Sequence, residues 1–333
     1  MNSVNATTEE GLQLVERDAS GVDTAFRADV LAGLSQEPKA IPARWFYDDA
    51  GSKLFEDITQ LPEYYPTRAE TEILKDQATS FAAMIGEGRA VVEFGSGSSV
   101  KTPLLLSAIN PAAYVPLDIS GDFLRASAAE LALKFPGLPV HPVEADFMRR
   151  VELPQEIEDM PKLGFFPGST IGNMVARTAV DLLRNMRETL GVGSQLLIGM
   201  DLIKDEEVLV AAYDDAAGVT AQFNYNLVRR INRELDGNIA LDTLSHEARW
   251  NDQHARIEMH LVADEAMDFT VAGEPFSLAK GESIHTENSH KFDRRTSNML
   301  LLAGGWDPAV RWLDSEGRFS LLLAEARPNR SAP

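Results

Sequence analysis

The stretch AVVEFGSGSSVKT, residues 90–102, decides the fold. An apolar run is followed by Gly95 and Gly97, and then by Thr102-Pro103, a pair typical of an N-cap and a first helical residue. Glycines between a strand and a helix permit a sharp turn and let backbone N–H groups approach a ligand closely. The stretch therefore predicts a ligand-binding loop at the end of a strand in an α/β fold.

The loop departs from the dinucleotide fingerprint G-x-G-x-x-G, because Val100 stands where the third glycine belongs. Glu93, just inside the strand end, and the loop residues Gly95, Ser96 and Gly97 suit the amino-acid end of S-adenosylmethionine better. We therefore expect S-adenosylmethionine as the cofactor. An NAD-dependent oxidoreductase is the alternative from a different class of enzyme.

Acidic residues also end the next two apolar runs. Asp118 closes AYVPLD about 20 residues beyond the loop, where an acid meets ribose hydroxyls in such folds. Asp146 and Phe147 close VHPVEADF, where the carboxylate can accept from an adenine amino group and the ring can stack on the base. Each aspartate on its own could equally cap the following helix. Because ligands of open α/β sheets bind at the carboxyl ends of the strands, the three strand ends together predict one cofactor cleft.

Apolar runs alternate with amphipathic helical patterns over residues 90–199, which predicts a parallel sheet covered on both faces. The segment VRWLDSEGRFSLLLAEA, residues 310–326, predicts an antiparallel hairpin that closes this sheet, an ending typical of methyltransferases. Between these parts, Tyr213 to Leu235 has the periodicity of a helix. The segments RIEMHLV, DFTV and PFSLA that follow are typical of antiparallel strands.

Composition excludes several classes of partner. The chain of 333 residues has 51 acidic and 31 basic residues and a net charge of −20, which repels nucleic acid and anionic lipid. It has no run of about 18 apolar residues, no secretory signal at its start and no cysteine. We expect a cytoplasmic protein with a small-molecule substrate, acting without nucleic acid or membrane.

Other catalytic motifs are missing. GSGSS and GSTIG both misplace the hydroxyl of a G-x-S-x-G nucleophile elbow, and there is no P-loop. The six histidines show no H-E-x-x-H or comparable spacing, so we expect no metal and place most histidines at the surface or in turns.

A specific resemblance rests on four segments. The block FYDDAGSKLFEDITQLPEYYPTRAE (Phe46 to Glu70), with EFGSGSS, GSTIGN and IHTENSHKF, resembles the L-histidine Nα-methyltransferases of ergothioneine biosynthesis. The resemblance extends over about residues 44–326. It implies an S-adenosylmethionine-dependent enzyme that converts L-histidine to Nα,Nα,Nα-trimethylhistidine (hercynine).

The resemblance also implies the architecture. A Rossmann-like methyltransferase core would comprise residues 69–203 plus 292–330, and a second, α+β substrate-binding domain would comprise 20–68 plus 204–291. Residues 1–19 are expected to be flexible, and the protein is expected to be a monomer.

The family's functional residues carry over to positions of this chain. The cofactor residues are Gly95, Ser96, Gly97, Lys101, Asp118, Asp146 and Phe147. The residues that contact substrate are Phe55, Tyr64, Gly168, Asn173, Tyr213, Met259, Glu287 and Ser289, and the catalytic pair is Tyr47 and Tyr64. The resemblance implies that Asn173 and Tyr213 hold the histidine carboxylate. Glu287 and Ser289 would bind the imidazole nitrogens, and the catalytic tyrosines would orient the amino group.

Alternatives remain at this point. A lone Tyr47 or Tyr64 is more often a core aromatic, Glu287 could be a turn carboxylate, and Asn173 could cap a helix. Their joint order and spacing favour a site. An N-methyltransferase for another aromatic amino acid, such as tryptophan, is disfavoured because an indole offers one donor and no acceptor to Glu287 and Ser289. A non-catalytic S-adenosylmethionine-binding regulator would need neither the tyrosines nor Asn173.

Overall fold

The computed structural model describes residues 21–97, 101–119 and 121–328; the segment 1–19, predicted to be flexible, lies outside them. The helices are α1 Thr24–Ser35, α2 Asp49–Gln60, α3 Pro66–Asp76, α4 Ala78–Ile85, α5 Thr102–Ile109, α6 Gly121–Lys134, α7 Ala176–Leu190, α8 Glu206–Ala211, α9 Val219–Glu234 and α10 Arg294–Ala303. The strands are β1 Ala90–Phe94, β2 Ala113–Asp118, β3 Val143–Glu144, β4 Lys162–Phe166, β5 Gln195–Asp201, β6 Leu244–Asn251, β7 Arg256–Ala263, β8 Met267–Val271, β9 Glu274–Leu278, β10 Ser283–His290, β11 Trp306–Leu313 and β12 Phe319–Ala326.

The main sheet of the described chain has seven strands in the order β11-β12-β5-β4-β1-β2-β3. Strands β1 to β5 pair in parallel, whereas β12 is antiparallel to both β5 and β11. Strands β1 and β5 are buried along their whole length, as their apolar sequences require for a sheet covered on both sides. The predicted parallel sheet and its closing antiparallel hairpin are both confirmed.

Successive residues of β1 enter different cores because side chains alternate across a strand. Val92 lies in one buried cluster with Leu182 and Met186 of α7, while Val91 lies in another with Phe81 and Leu105. The α7 residues are fully buried, so truncating one of them to alanine should destabilise the fold by about 2–5 kcal/mol. This double burial fixes the carboxyl edge of the sheet, where the predicted cofactor residues lie.

A smaller β-layer stands beside the main sheet. Strands β10, β7 and β6 form an antiparallel sheet in that order, and β8 pairs with β9. Helices α1, α2 and α9 cover this layer through a separate core that includes Phe26, Phe46, Phe223, Leu227 and Met259. The two segments that connect the layers lie side by side, because Leu202 and Phe292 form an isolated parallel β-bridge. No helix in the described ranges combines the length and apolar character that crossing a bilayer requires.

Three local predictions need correction. The helix predicted from Tyr213 begins at Val219, because the Asp215 carboxylate accepts from the first backbone N–H groups there and the residues before them form turns. Thr102 is the first helical residue and not an N-cap; its hydroxyl donates to Glu93. The strand predicted at VHPVEADF shrinks to Val143–Glu144, since Pro142 within this segment cannot donate to a ladder.

Candidate active site

The glycine loop is fastened to the neighbouring strand. The backbone N–H groups of Gly95 and Ser96 both donate to the carbonyl of Leu117, at 2.9 and 3.1 Å. The N–H of Gly97 donates to a carboxylate oxygen of Asp118 at 3.3 Å. Gly95 and Gly97 adopt φ of +76° and +27°, conformations that favour glycine. The structure therefore brings these predicted cofactor residues to one strand edge.

The predicted base-binding pair adjoins the same loop. A Cβ placed on Gly95 would lie 3.5 Å from the ring of Phe147, so this ring packs directly over the loop. Phe94 and Phe166 contact the same ring edge to face. Asp146 accepts from the N–H of Met148 at 2.9 Å, a local turn that fixes its carboxylate at the end of the third strand segment.

Polar groups around the loop fit a ligand with an amino-acid end. The Ser96 hydroxyl is buried and has no hydrogen-bond partner among the residues described. A buried polar group without a partner is unusual unless a ligand binds to it. Glu93 beneath the loop is fully buried and accepts from Thr102 and Tyr114. Burial raises the pKa of Glu93 to about 7. These groups, with Gly95 and Gly97, are compatible with S-adenosylmethionine.

Lys101 and Glu70 connect this cofactor edge to a second loop. The Lys101 ammonium lies 2.5 Å from a carboxylate oxygen of Glu70, whose side chain is fully buried. The N–H of Gly168, in the GSTIGN segment, donates to both oxygens of Glu70 at 3.0 and 3.1 Å. Sequence reasoning placed Glu70 at the end of the family-like block but gave it no role. The structure shows that the Glu70 carboxylate connects the loop that contains Lys101 to the loop that contains Gly168.

The predicted substrate residues surround one pocket. The free space of the pocket and its mouth, open solvent included, amounts to about 500 Å³. Its lining contains Tyr47, Phe55, Tyr64, Gly168, Asn173, Tyr213, Met259, Glu287 and Ser289, which were predicted. It also contains Ile58, Ser169, Thr170, Ala212, Thr220 and Phe223, which were not.

Aromatic rings form one wall of this pocket. Tyr47 and Phe55 meet edge to face with centroids 5.6 Å apart, Phe55 and Tyr64 at 6.3 Å, and Tyr64 and Tyr213 at 6.2 Å. Tyr47 stands at the mouth with 43% of its surface exposed, whereas Tyr64 is 8% exposed. Burial raises the pKa of the Tyr64 hydroxyl well above its usual value, so this group keeps its proton. The wall is thus neutral and rich in π faces.

A bulge in β10 determines the orientation of Glu287, the acidic residue of the pocket. His285 pairs with His260 and Glu287 pairs with Met259, so the register shifts by one residue between His285 and Glu287. Consecutive strand residues face opposite sides, and the extra residue therefore turns Glu287 toward the side of Met259 and the pocket. Burial raises the pKa of Glu287 to about 7, and the nearby Lys291 opposes this rise.

Hydroxyl groups stand beside Glu287. The Ser289 and Tyr213 hydroxyls are 2.7 Å apart, and the Lys291 ammonium donates to them at 2.8 and 3.0 Å. A ring nitrogen of His246 lies 2.8 Å from the carbonyl of Tyr213 and fixes its backbone. Sequence reasoning missed Lys291, although it lies within the quoted segment IHTENSHKF.

The histidines depart from the prediction. The His246 side chain is 2% exposed and His260 is 8% exposed, so neither is the surface residue expected. Cross-strand pairing brings Glu258, His260 and His285 within 4.8 Å of one another, a grouping that linear spacing could not show. Arg256 already pairs with the Glu258 carboxylate at 2.5 Å. The absence of a metal stays a prediction of the sequence.

The fold and the cofactor edge define the class. A Rossmann-like sheet with an antiparallel hairpin at its edge, a glycine loop after β1 and an acid at the end of β2 form the core of an S-adenosylmethionine-dependent methyltransferase.

Comparison with known proteins gives the family. The chain belongs to the S-adenosylmethionine-dependent histidine-specific methyltransferases, whose family model matches residues 26–326. It is 40% identical over 316 residues to the histidine N-alpha-methyltransferase of Mycolicibacterium smegmatis, covering 92% of this chain and 96% of that protein. It is also 40% identical over 312 residues to the same enzyme of Mycobacterium tuberculosis, covering 90% and 94%. The ergothioneine biosynthesis protein 1 of Neurospora crassa is 30% identical over 308 residues, which cover 87% of this chain and 34% of that protein.

Proposed function

We propose that this enzyme transfers methyl groups from S-adenosylmethionine to the α-amino group of L-histidine and makes Nα,Nα,Nα-trimethylhistidine (hercynine), a step of ergothioneine biosynthesis. The observation that carries the proposal is the pocket itself, in which the buried carboxylate of Glu287 stands beside the hydroxyls of Ser289 and Tyr213, with Asn173 in the same lining. Family membership and the names of the similar enzymes support the same substrate.

Each end of histidine has partners in this pocket. Glu287 accepts from one imidazole N–H and the Ser289 hydroxyl donates to the other ring nitrogen, while Asn173 and Tyr213 hold the carboxylate. Tryptophan leaves part of this set unmatched, since an indole has a single donor and no acceptor. A site built to hydrogen-bond a ring rejects an analogue that leaves buried polar groups unpaired by up to about 10⁴-fold.

The cofactor supplies an electrophilic methyl group on its sulfonium. The protein has to present an uncharged amine about 3–3.5 Å from that methyl carbon. An α-amino group titrates near about 8, so it must lose a proton on or before binding. We assign the orientation of the amine to the hydroxyls of Tyr47 and Tyr64 and the loss of the proton to solvent at the pocket mouth. Tyr64 acts as a neutral hydrogen-bonding group, because its raised pKa disfavours a phenolate.

The aromatic wall also suits the methylated intermediates. Tyrosine faces attract methylammonium groups by about 0.5–2 kcal/mol. The rings of Tyr47, Phe55 and Tyr64 can therefore retain a mono- or dimethylated amine for the next transfer, while the anchoring groups at the other end of the pocket stay unchanged.

We assign cofactor binding to the cluster at the carboxyl edge of the main sheet, which consists of Gly95, Ser96, Gly97, Lys101, Asp118, Asp146 and Phe147. We further propose the two-domain division given above, with a core of 69–203 plus 292–330 and a substrate domain of 20–68 plus 204–291. The separate hydrophobic cores of the main sheet and the smaller β-layer support this division. The monomeric state and the cytoplasmic location stay predictions.

The test is mass spectrometry of the products formed from S-adenosylmethionine and an equimolar mixture of amino acids. We expect trimethylhistidine to dominate. Glu287→Ala serves as the control: it should abolish the histidine product while calorimetry shows unchanged binding of S-adenosylhomocysteine. Methylated tryptophan as the main product, or full histidine turnover in Glu287→Ala, would contradict the assignment.

A further inference from the structure

Lys291 is a fully buried lysine directly beneath the substrate pocket. Its side chain is 0% exposed, and its ammonium contacts Asp201 at 2.8 Å, the Ser289 hydroxyl at 2.8 Å and the Tyr213 hydroxyl at 3.0 Å. An ammonium has three protons and no acceptor, so these partners use its whole capacity. Lysine is seldom buried without a specific reason, and the ion pair with Asp201 accounts for one of its contacts only.

The lysine fixes the direction of the neighbouring hydroxyl protons. Ser289 and Tyr213 together carry two hydroxyl protons, and one of these occupies the 2.7 Å contact between their oxygens. Neither proton can point at Lys291, because the ammonium only donates. Both residues line the pocket, so the remaining hydroxyl proton is directed to a ligand there, and a ligand that replaces the contact between the two oxygens receives both protons. The pair therefore presents a donor to whatever the pocket holds.

We propose that Lys291 is a positioning residue that sets substrate specificity, because its ammonium holds the hydroxyls of Ser289 and Tyr213 as donors toward the ligand beside the acceptor Glu287. This inference rests on the proposed function and refines it. The pocket then selects a neutral imidazole, with its N–H toward Glu287 and its unprotonated nitrogen toward the Ser289 hydroxyl, while Tyr213 donates to the carboxylate. Ligands without an acceptor at that position leave the fixed donor unpaired.

The charge of Lys291 also acts on Glu287. The titratable groups that interact with Glu287 are Tyr47, Tyr64 and Tyr213 from the substrate side and Lys291 from the end of its own strand. The tyrosines are neutral, and the positive charge of Lys291 favours the ionised carboxylate. Without this charge Glu287 would keep its proton to a higher pH and would offer a donor where the ring N–H needs an acceptor.

The chain contains a matched control. Lys204 pairs with the other oxygen of Asp201 at 2.7 Å and donates to Tyr65 at 2.6 Å and to the carbonyl of Leu202. Its side chain is 11% exposed, and it is absent from the pocket lining. Lys204→Met and Lys291→Met each remove one lysine from the same buried aspartate, but only the second removes the cation that contacts the pocket hydroxyls.

The experiment compares these variants by steady-state kinetics with histidine over a range of pH, together with calorimetric titration of S-adenosylhomocysteine. For Lys291→Met we expect a KM for histidine raised by about tenfold or more, as for a lost charge-assisted contact. We also expect the acidic limb of its kcat/KM profile to move up by about one pH unit. Affinity for S-adenosylhomocysteine should stay as in the wild type, and Lys204→Met should show neither change.

A second variant guards against a folding defect. Lys291→Met leaves Asp201 paired with Lys204, and Lys291→Gln, which keeps a polar side chain but no charge at this position, should show the same raised KM and displaced acidic limb. The inference is overturned if Lys291→Met, or Lys291→Gln, shows the KM and acidic limb of Lys204→Met. Absence of histidine turnover by the wild type would instead refute the proposed function, so the two failures are distinguishable.

Discussion

Glu287 should destabilise the free protein above neutral pH. Burial raises its pKa from the ordinary 4.5 to about 7, so the folded state holds this proton more tightly than the unfolded chain does. Between these two values the folded state binds more protons, and stability therefore falls as pH rises. A difference of about 2.5 pKa units at 1.36 kcal/mol each gives about 3 kcal/mol as the upper limit.

The perturbation is Glu287→Gln, which keeps the size of the side chain and removes its titration. In urea denaturation without ligands, we expect the free energy of unfolding of the variant to be about 2–3 kcal/mol higher than that of the wild type at about pH 8. At about pH 5 the difference should be about 1 kcal/mol or less. Glu93 titrates in the same range, but it is present in both proteins and cancels in the difference. Equal stability at both pH values, or a variant less stable at the higher one, would refute the reasoning.

Three further substitutions test the site. Asn173→Ala should raise the KM for histidine by about tenfold or more with kcat little changed, as expected for a lost contact to the substrate carboxylate, and a kinetically silent variant would remove Asn173 from the site. Tyr64→Phe keeps the ring but loses the orienting hydroxyl, so kcat should fall by roughly 10–100-fold with a smaller change in KM; an unchanged kcat in single-turnover measurements would contradict this role. Glu70→Gln weakens the contacts of this side chain with both Lys101 and Gly168. The affinity for S-adenosylhomocysteine, measured by calorimetry, should therefore fall and the KM for histidine should rise. A change in only one of the two would argue against the coupling.

The apolar strands of the main sheet could be predicted because their residues alone indicate that they are buried. Strands β1 and β5 are near-continuous apolar runs, and they are buried along their whole length. Strand β10, with the sequence SIHTENSH, has Ile284 as its one strongly apolar residue and exists through its pairing with β7. A long-range contact of this kind is invisible to local periodicity. The same limit explains why the bulge that orients Glu287 could not be predicted.

The order and spacing of the motifs identified the pocket residues. They did not identify the charged residues that pair with or support them. The pocket residues named from the resemblance all line one cavity. Glu70, Asp201 and Lys291 lacked any signal of their own, because a charged residue in a sequence is most often a solvated one. Their partners lie far along the chain: the contact between Glu70 and Gly168 spans 98 residues. Only the folded arrangement shows that these charges are buried and paired.

The buried charges explain how so acidic a protein can bind the carboxylate of an amino acid. The Lys291 ammonium places a positive charge 2.8 Å from the Ser289 hydroxyl and 3.0 Å from the Tyr213 hydroxyl, and both residues line the pocket. The net charge of −20 belongs to the whole chain and is screened by salt over about 10 Å, whereas this local cluster is shielded from water. This buried charge acts at short range on the pocket hydroxyls, so histidine binding should depend only weakly on ionic strength.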